Sequence, residues 1–342
     1  MFQAICARVP ILRSVARREG AAIFNVMQGF VQSQMLVALV ELRVLNMLAD
    51  GPSTAERLAA RCGVPADRMQ ILLQSGAALG FIRRSGADFR LARRGAAFLA
   101  VPGLCDMVRH HHVLYSDLAD PVAFLRAETS PALAGFWPYV FGAGAVSDPE
   151  QAAQYSRLMA ESQHLVAQEA LAHVSLGRAR KLLDVGGGTG MFLRAVRASY
   201  PDLKLALFDL PDVVSQAALP ADIERHAGSF RSDPLPEGAD VISLVRVLYD
   251  HSDATVRELL AKVHAALPPQ GRLLVIEPMS GGEKPDPQTD VYFSVYTLAM
   301  QTGRTRSAAQ ISELLAEAGF SSISKEKSSR RFVASVLEAR RH

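Results

Sequence analysis

Apolar residues of the N-terminal segment recur at helical spacing between residues 21 and 50. Gly51-Pro52 ends this pattern, so it predicts one long, largely buried helix. Glu41 and Arg43 interrupt the most apolar stretch, 31–49, which argues against a membrane-spanning helix. Arginines before residue 21 likewise break up any apolar core of an export signal.

The segments that follow have the pattern of a winged helix. Short helices are predicted over 55–61, behind a Ser53-Thr54 cap, and from Pro65 to Leu79. Residues 81–91 alternate as a hairpin, and this region carries several arginines that would suit DNA. The second helix, however, has Arg68 as its only cation and is otherwise rich in apolar residues. The pattern therefore favours packing against protein over reading a DNA groove.

A change in periodicity separates the middle of the chain from its C-terminal half. Residues 101–177 are predicted to be helical with proline interruptions, and they are rich in aromatic residues. Beyond them, apolar strands alternate with helical runs, which predicts a parallel sheet with right-handed crossovers. A helix over 307–318 and a hairpin of 320–325 and 332–338 would add an antiparallel edge. The parallel strands are expected at 181–185, 204–208, 223–227, 240–245 and 271–277.

These patterns predict an α/β protein, in which a Rossmann-like sheet follows an N-terminal all-helical winged-helix domain. The expected parts are a winged-helix domain at 1–100, a helical linker and substrate-pocket segment at 101–177, and the Rossmann-like domain at 178–342. A length of 342 residues with 49% apolar content is enough for two domains of ordinary size.

Charge and cysteine content narrow the class of protein. With 37 basic and 34 acidic residues, the chain is too nearly balanced for nucleic acid to be the expected partner. Locally basic ends, at 1–35 and 320–342, suit either an anionic membrane surface or simple solvation. Three widely spaced cysteines indicate neither a disulfide framework nor a zinc site, and they favour a cytoplasmic location.

The segment Lys181–Gly190 joins an apolar strand to a glycine loop that opens a helix. Its glycines, Gly186, Gly188 and Gly190, fall at relative positions one, three and five, whereas the dinucleotide fingerprint requires one, three and six. This spacing argues against NAD. Asp209 ends the next strand, where a carboxylate could bind two ribose hydroxyls. An adenosine-bearing cofactor without a pyrophosphate fits best.

The predicted topology gathers further polar residues at one edge of the sheet. Ligands bind at the carboxyl ends of parallel strands, so the candidate site is defined by the residues that follow each strand. These positions are 184–190, Asp209, Ser229-Phe230, 246–253 and Glu277.

The glycine loop, the sequence Phe208-Asp-Leu-Pro211 and the winged-helix front end resemble the S-adenosylmethionine-dependent O-methyltransferases of the caffeate/acetylserotonin type, over nearly the whole chain. A narrower resemblance is to the acyclic hydroxycarotenoid O-methyltransferases of phototrophic bacteria, the demethylspheroidene or hydroxyneurosporene type. The motifs that carry the narrower resemblance are 110–122, 136–139, 246–251, 277–279 and 290–296.

The resemblance implies a homodimer, joined through the N-terminal domain, that uses S-adenosyl-L-methionine. The implied reaction methylates the tertiary 1-hydroxyl of an acyclic carotenoid in carotenoid biosynthesis. It also implies a cytoplasmic enzyme, with peripheral contact to the photosynthetic membrane as an open question. A phenolic, polyketide or tetrapyrrole acceptor stays open as an alternative, as does a winged-helix DNA-binding regulator. Salt-dependent binding to duplex DNA without methyl transfer would favour the regulator.

In the resembling family, the glycine loop holds the methionine part of the cofactor, Asp209 the ribose, and the turn at Gly228-Ser-Phe230 the adenine. The family usually carries a carboxylate where this chain has Ser229. The predicted cofactor-binding residues are Asp184, Gly186, Gly188, Gly190, Asp209, Leu210, Ser229, Phe230 and Arg246.

Methyl transfer requires the acceptor oxygen, the methyl carbon and the sulfur to be collinear, and deprotonation of the oxygen assists attack. Tyr249 stands where the plant-type relatives have a catalytic histidine, and His251 and Glu277 are the other candidate acid–base residues. A tyrosine is a poor base at neutral pH unless its pKa is strongly perturbed.

The acceptor is expected to contact an aromatic and apolar wall. Its predicted residues are His111, Tyr115, Trp137, Met279 and Tyr296. No metal is predicted, because the consecutive imidazoles of residues 110–112 spread around a helix and cannot share one ion.

Overall fold

The computed structural model describes residues 10–136, 163–326, 328 and 330–342. Two compact units make up the chain, and the boundary between them falls after His111. That boundary lies inside a helix, Leu104–Asp117. The division into 1–100, 101–177 and 178–342 stays a prediction.

The first unit contains the winged-helix pattern. Thr54 accepts a hydrogen bond from the backbone N–H of Arg57 at 3.4 Å, so the predicted cap is present. The hairpin turns as predicted, with Gly86 at φ +63°, and Ser53–Thr54 adds a third strand to it. The helices are α1 (Pro10–Glu41), α2 (Val44–Ala49), α3 (Ala55–Cys62), α4 (Ala66–Ala78), α5 (Arg93–Ala100) and α6 (Leu104–Asp117), with strands β1 (Ser53–Thr54), β2 (Ile82–Ser85) and β3 (Asp88–Leu91).

The predicted helix over 21–50 is wrong in its bounds and in its burial. α1 begins at Pro10, and the left-handed backbone of Arg43, at φ +53°, separates it from α2. The C-terminal part of α1 is buried, but its middle is exposed, including Phe24 at 59% and Phe30 at 69%. Periodicity identifies an apolar face, but it does not tell whether the same chain covers that face.

The apolar part of α1 lies earlier in the chain than the stretch 31–49 that the sequence analysis considered for a membrane-spanning helix. α1 is long and apolar enough over Ser14–Glu41 to cross a membrane, by length and composition alone, with a window of mean hydropathy 1.4. Arg43 lies beyond this helix and does not interrupt it. Only 17% of the window is buried in the single chain.

Within the described residues of the second unit, seven strands form one sheet in the order β6-β5-β4-β7-β8-β10-β9. The first five are parallel, and β10 lies antiparallel between β8 and β9. The predicted parallel sheet and terminal hairpin are therefore confirmed, although the last strand starts at Ser335 rather than at residue 332. The strands are β4 (Lys181–Val185), β5 (Lys204–Asp209), β6 (Glu224–Ala227), β7 (Val241–Val245), β8 (Arg272–Glu277), β9 (Phe320–Lys325) and β10 (Ser335–Arg341).

Helices cover both faces of this sheet, and every residue of β7 is buried, as expected for a central parallel strand. The helices that follow α6 are α7 (Pro121–Leu125), α8 (163–171), α9 (Met191–Ser199), α10 (Pro211–Gln216), α11 (Asp253–Ala266), α12 (Ser294–Met300) and α13 (Ala308–Glu317). A 3-10 turn at Ala132–Phe136 and a π-helix at Pro287–Phe293 join α7 and α12 in a separate apolar cluster.

Candidate active site

The glycine loop follows β4 and has the backbone that its glycines allow. Gly186, Gly188 and Gly190 have φ values of +69°, +59° and +77°, in the left-handed region where other residues are strained. A Cβ at Gly190 would lie 2.4 Å from Leu219, whereas a Cβ at Gly188 would meet nothing within 4 Å. The loop therefore packs closely at its end and is open at its middle, where a ligand has room to approach the backbone.

Asp184 lies beneath this loop and is fully buried. Its Oδ1 accepts a hydrogen bond of 2.6 Å from the hydroxyl of Ser243. A Cβ at Gly187 would lie only 2.4 Å from Oδ2, which has no hydrogen-bond partner among the described residues. Burial raises the pKa of the Asp184 carboxyl to about 7. Asp184 thus supports the loop from below.

Asp209 ends β5 and faces the same loop. Its Oδ2 accepts a hydrogen bond from the N–H of Gly188, and its Oδ1 accepts one from the N–H of Leu210, both at 2.7 Å. A carboxylate oxygen accepts more than one hydrogen bond, so both oxygens retain capacity for ligand hydroxyls. Burial raises the pKa of Asp209, and its two backbone hydrogen bonds oppose that rise.

The turn after β6 adjoins Asp209. The N–H of Gly228 donates to the backbone carbonyl of Asp209 at 3.0 Å, and the N–H of Ser229 donates to Oδ2 of Asp233 at 2.7 Å. Asp233 therefore supplies a carboxylate to this turn, although Ser229 itself has none. The ring of Phe230 is half-buried beside the turn.

An open glycine loop, a carboxylate held beside it and a turn carrying an aromatic ring lie at neighbouring strand ends. β4, β5 and β6 are adjacent and parallel in the sheet, so their carboxyl ends share one edge. The unpartnered buried oxygen of Asp184 and the open space above Gly188 also indicate a ligand site. The residues present fit an adenosine-bearing cofactor.

A short 3-10 turn, Leu248–Asp250, follows β7. Oε2 of Glu277, at the end of β8, accepts hydrogen bonds from the N–H groups of Leu248 at 3.0 Å and Tyr249 at 3.2 Å. Arg246 leads into the turn with a left-handed backbone at φ +57°. Neighbouring strand ends are thus joined through one glutamate.

Tyr249 is almost fully buried, and its hydroxyl accepts a hydrogen bond of 3.2 Å from Nε of Arg246. Burial raises the pKa of the Tyr249 hydroxyl well above its ordinary value. The tyrosine therefore stays protonated near neutral pH. In this environment it can orient a hydroxyl group by hydrogen bonding, but it is a poorer base than a free tyrosine.

Two buried carboxyls flank Tyr249. Glu277 is fully buried, and Oε1 of Glu277 and Oδ1 of Asp250 have no hydrogen-bond partner in the described part of the chain. Burial raises the pKa of Glu277 to about 7 and that of Asp250 well above its ordinary value. Sequence reasoning did not single out Asp250, although it adjoins Tyr249 in the 246–251 motif.

His251 faces the predicted cofactor side. Its ring meets that of Phe230 edge-to-face at a centroid distance of 5.2 Å, and its Nδ1 lies 3.3 Å from Nη2 of Arg231. Burial, with the charges of Arg231 and Arg306 nearby, lowers the pKa of His251 to about 4. The imidazole is therefore neutral at physiological pH, and it packs between the turn after β6 and the turn after β7.

Aromatic side chains lie close to the carboxyl pair. Tyr292 and Tyr296 stack at a centroid distance of 5.9 Å. Burial raises the pKa of Tyr292, and the nearby Tyr115 adds to that rise. Met279 is buried. Tyr292 was missing from the predicted wall residues.

Two of the predicted wall residues, His111 and Trp137, stay predictions. His111 belongs to the first unit, and burial lowers its pKa. Trp137 lies outside the described residues. Among the residues that the structure describes, no group of histidine, cysteine and carboxylate side chains is arranged to hold a metal ion.

Sequence reasoning also missed Arg306, which is fully buried behind the turn after β7. Its guanidinium donates at 2.8 Å to the carbonyl of Leu248 and at 2.8 Å to that of His251. It also pairs with Asp253 at 2.6 Å. Arg306 comes more than fifty residues after this turn, so only the folded chain brings them together.

Two sequence families match this chain. The O-methyltransferase domain matches residues 115–321, and the O-methyltransferase dimerisation domain matches residues 24–100. Demethylspheroidene O-methyltransferase of Cereibacter sphaeroides is 58% identical over 99% of this chain and 91% of its own length. The protein of the same name from Rhodobacter capsulatus is 54% identical over 98% of this chain and 86% of its own length.

Solved structures have the same fold. The crystal structure of human N-acetylserotonin methyltransferase in complex with S-adenosylmethionine superposes with a TM-score of 0.81 at 26% identity, covering 94% of this chain and 97% of that one. The CalO1 methyltransferase of calicheamicin biosynthesis, with S-adenosylhomocysteine bound, gives a TM-score of 0.79 at 25% identity and covers 95% and 98% of the two chains. This chain therefore belongs to the S-adenosylmethionine-dependent O-methyltransferases, with a dimerisation domain ahead of its methyltransferase domain.

Proposed function

We propose that this enzyme transfers a methyl group from S-adenosylmethionine to the tertiary 1-hydroxyl of an acyclic carotenoid, in carotenoid biosynthesis. The identity of the acceptor is inferred from the 58% and 54% sequence identity to two demethylspheroidene O-methyltransferases over nearly the whole chain. The stacked rings of Tyr292 and Tyr296 suit such an acceptor, because a polyene offers mainly apolar area for binding.

The cofactor would be held by the glycine loop and by the two turns that follow β5 and β6. Gly188 leaves room for the methionine part, Asp209 has lone pairs for the ribose hydroxyls, and Ser229 and Phe230 flank the adenine. Leu210 positions Asp209, and Asp184 supports the loop from below. When bound, S-adenosylmethionine supplies an electrophilic methyl group on a positively charged sulfur.

Glu277 is the proposed proton acceptor for the hydroxyl of the acceptor molecule. Its pKa of about 7 leaves a substantial ionised fraction at neutral pH, and two backbone N–H groups fix one of its oxygens. Burial also raises the pKa of Asp250, and in its protonated form Asp250 would donate a hydrogen bond.

Tyr249 and Arg246 would orient the acceptor hydroxyl. The Arg246 guanidinium lies 5.8 Å from the ring centre of Tyr249 as well as binding its hydroxyl, so the tyrosine has a fixed direction. Such positioning matters because in-line displacement depends on the alignment of the reacting atoms. His251 would act from the cofactor side, through its contacts with Phe230 and Arg231.

The experiment that tests the function is an assay of the purified enzyme with S-adenosylmethionine and a panel of acceptors. The panel contains a 1-hydroxy acyclic carotenoid, the same carotenoid without the hydroxyl, a phenol, a hydroxynaphthoate and a tetrapyrrole. We expect mass spectrometry to detect one added methyl group on the hydroxycarotenoid alone. Methylation of the phenolic or tetrapyrrole acceptor with the carotenoid untouched would overturn the proposal.

A peripheral contact with an anionic membrane is the proposed location of the reaction, because an acyclic carotenoid partitions into lipid. Arg17 is exposed at the start of α1, and residues 1–35 contain four arginines against Glu19. Flotation with vesicles of phosphatidylglycerol is expected to recover the enzyme at low salt and to lose it at high salt. Equal recovery with phosphatidylcholine vesicles would contradict this contact.

A further inference from the structure

Lys262, on α11, binds the loop that carries the proposed adenine site. Its ammonium donates hydrogen bonds to the backbone carbonyls of Phe230 at 2.8 Å, Arg231 at 3.1 Å and Asp233 at 2.9 Å. A lysine ammonium has three N–H donors, so these three carbonyls account for all of them. One side chain from a distant helix thereby fixes three successive parts of a single loop.

The same loop is also fixed from within. The carboxylate of Asp233 accepts the N–H of Ser229 at 2.7 Å, and the carbonyl of Ser229 accepts the N–H of Asp233 at 2.7 Å. Arg231 reaches from the loop to Thr255 on α11 at 3.3 Å and to His251 at 3.3 Å. The three carbonyl dipoles converge and would repel one another, and the positive charge of Lys262 offsets that repulsion.

We propose that Lys262 is a positioning residue for the adenosine half of the cofactor, acting through the three carbonyls of residues 230–233. Its three hydrogen bonds end on backbone carbonyls of the loop, and none of them involves Tyr249 or Glu277. This inference rests on the proposed placement of the adenine at the Gly228–Phe230 turn. Without the ammonium, the loop loses its fixed conformation, and the ordering must occur when the cofactor binds.

The experiment compares Lys262→Met, which keeps an unbranched stem of similar length, with Lys262→Arg and Lys181→Met. Lys181 is a matched control, because it forms an ion pair of 2.6 Å with Glu224 at the opposite end of β4 from the glycine loop. Calorimetry measures the dissociation constants of S-adenosylhomocysteine and of methylthioadenosine, which share the adenosine half. Steady-state kinetics measures KM for S-adenosylmethionine and kcat.

We expect Lys262→Met to weaken both ligands about tenfold and by the same factor, as removal of hydrogen bonds from a charged donor implies. KM for S-adenosylmethionine should rise by the same factor, while kcat at saturation stays within about twofold of the wild type. General destabilisation of the protein would not change KM without changing kcat. Lys262→Arg recovers part of the affinity, and Lys181→Met leaves it unchanged. Lys262→Gln, measured in the same way, serves if Lys262→Met does not fold.

Phe230→Ala separates failure of this inference from failure of the adenine placement. If Phe230→Ala weakens methylthioadenosine but Lys262→Met and Lys262→Gln bind it as the wild type does, the role of Lys262 is wrong. If Phe230→Ala also binds it normally, the adenine lies elsewhere and the inference fails with its premise. Loss of S-adenosylhomocysteine affinity alone, with methylthioadenosine unaffected, would likewise overturn it.

Discussion

A tyrosine at the family's histidine position changes which side chain can take the proton. Tyr249 is buried with a raised pKa, and its hydroxyl is held by Arg246. The groups that can exchange a proton near neutral pH are instead carboxyls, and beside Tyr249 the carboxyl of Glu277 has a pKa of about 7. The proposed proton acceptor of this site is therefore a buried glutamate rather than an imidazole.

The pH dependence of kcat should report this glutamate. Because the ionised form accepts the proton, we expect kcat to rise between about pH 5 and pH 8, with a midpoint near the pKa of about 7. Glu277→Gln should lower kcat about 100-fold and remove this rise. The exposed Glu258, changed to glutamine, is the control. A Glu277→Gln profile that keeps the wild-type midpoint would exclude Glu277 as the titrating group.

Tyr249 is expected to orient the acceptor rather than to exchange its proton. Tyr249→Phe removes one hydrogen-bonding group, so kcat should fall no more than about tenfold, and its pH midpoint should stay that of the wild type. Rates at saturating acceptor across the pH range provide the measurement. A loss as large as that of Glu277→Gln, with a shifted midpoint, would mean that the phenol is an acid–base group.

A substitution at Gly188 tests whether the cofactor approaches this glycine, once the cost of backbone strain is accounted for. Gly188→Ala meets no neighbour but places an alanine at φ +59°, so we expect a stability loss of about 1–2 kcal/mol together with at least a tenfold higher KM for S-adenosylmethionine. Gly63→Ala is the matched control, with φ +65° and equally open surroundings in the first unit. It should cost similar stability and leave KM unchanged. Equal KM values in the two variants would mean that no ligand group approaches Gly188.

At the scale of elements, the short turn after β7 is held from both sides. Glu277 binds its N–H groups, and Arg306 binds the carbonyls of Leu248 and His251. A 3-10 turn of three residues has little stability of its own. These two charged side chains, one from β8 and one from before α13, therefore determine where Tyr249 points.

Arg304 and Arg306 offer a direct comparison, because both pair with Asp253, at 2.7 Å and 2.6 Å. The Arg306 side chain is fully buried, and that of Arg304 is 55% exposed. Arg306→Met should lower the free energy of unfolding by about 3–5 kcal/mol, because it leaves buried polar groups without partners. Arg304→Met should cost no more than about 1 kcal/mol. Urea unfolding measures both, and similar losses would show that burial is not the deciding factor.

Local patterns predicted the elements well where local physics determines them. The parallel strands appear as buried apolar runs, and their predicted bounds agree within one residue with the structure. The turn at Ser85-Gly86 and the Thr54 cap depend on neighbouring residues and are also present. Asp250, Lys262 and Arg306 escaped notice because their roles depend on partners far away in the chain, which periodicity and spacing do not encode.

At the scale of the whole molecule, we expect the exposed apolar face of α1 to be the surface for a second copy. Phe24, Met27 and Phe30 are each more than half exposed in the single chain. The match to the O-methyltransferase dimerisation domain begins at residue 24 and therefore includes these three side chains. The single chain cannot cover this face, which is why the expected burial of the helix was wrong.

The double variant Phe24→Asp, Phe30→Asp should convert the dimer to a monomer at micromolar concentration, because charges replace apolar contacts on this face. Light scattering after size-exclusion chromatography measures the mass. Asn25→Asp with Gln28→Glu, which changes two polar side chains of the same helix and removes no apolar contact, is the charge-matched control and should remain dimeric. A dimer in both variants would place the subunit interface elsewhere.

Arg246 has a consequence for how this enzyme can be improved. Its left-handed backbone costs about 1–2 kcal/mol for a residue with a side chain, whereas glycine adopts it freely. Selection for folding alone would favour glycine there, yet the chain keeps a cation directed at Tyr249. The strained arginine is thus a point where thermal robustness and turnover compete. Engineering for heat resistance would therefore propose glycine at position 246 early, and Arg246 should nevertheless be kept.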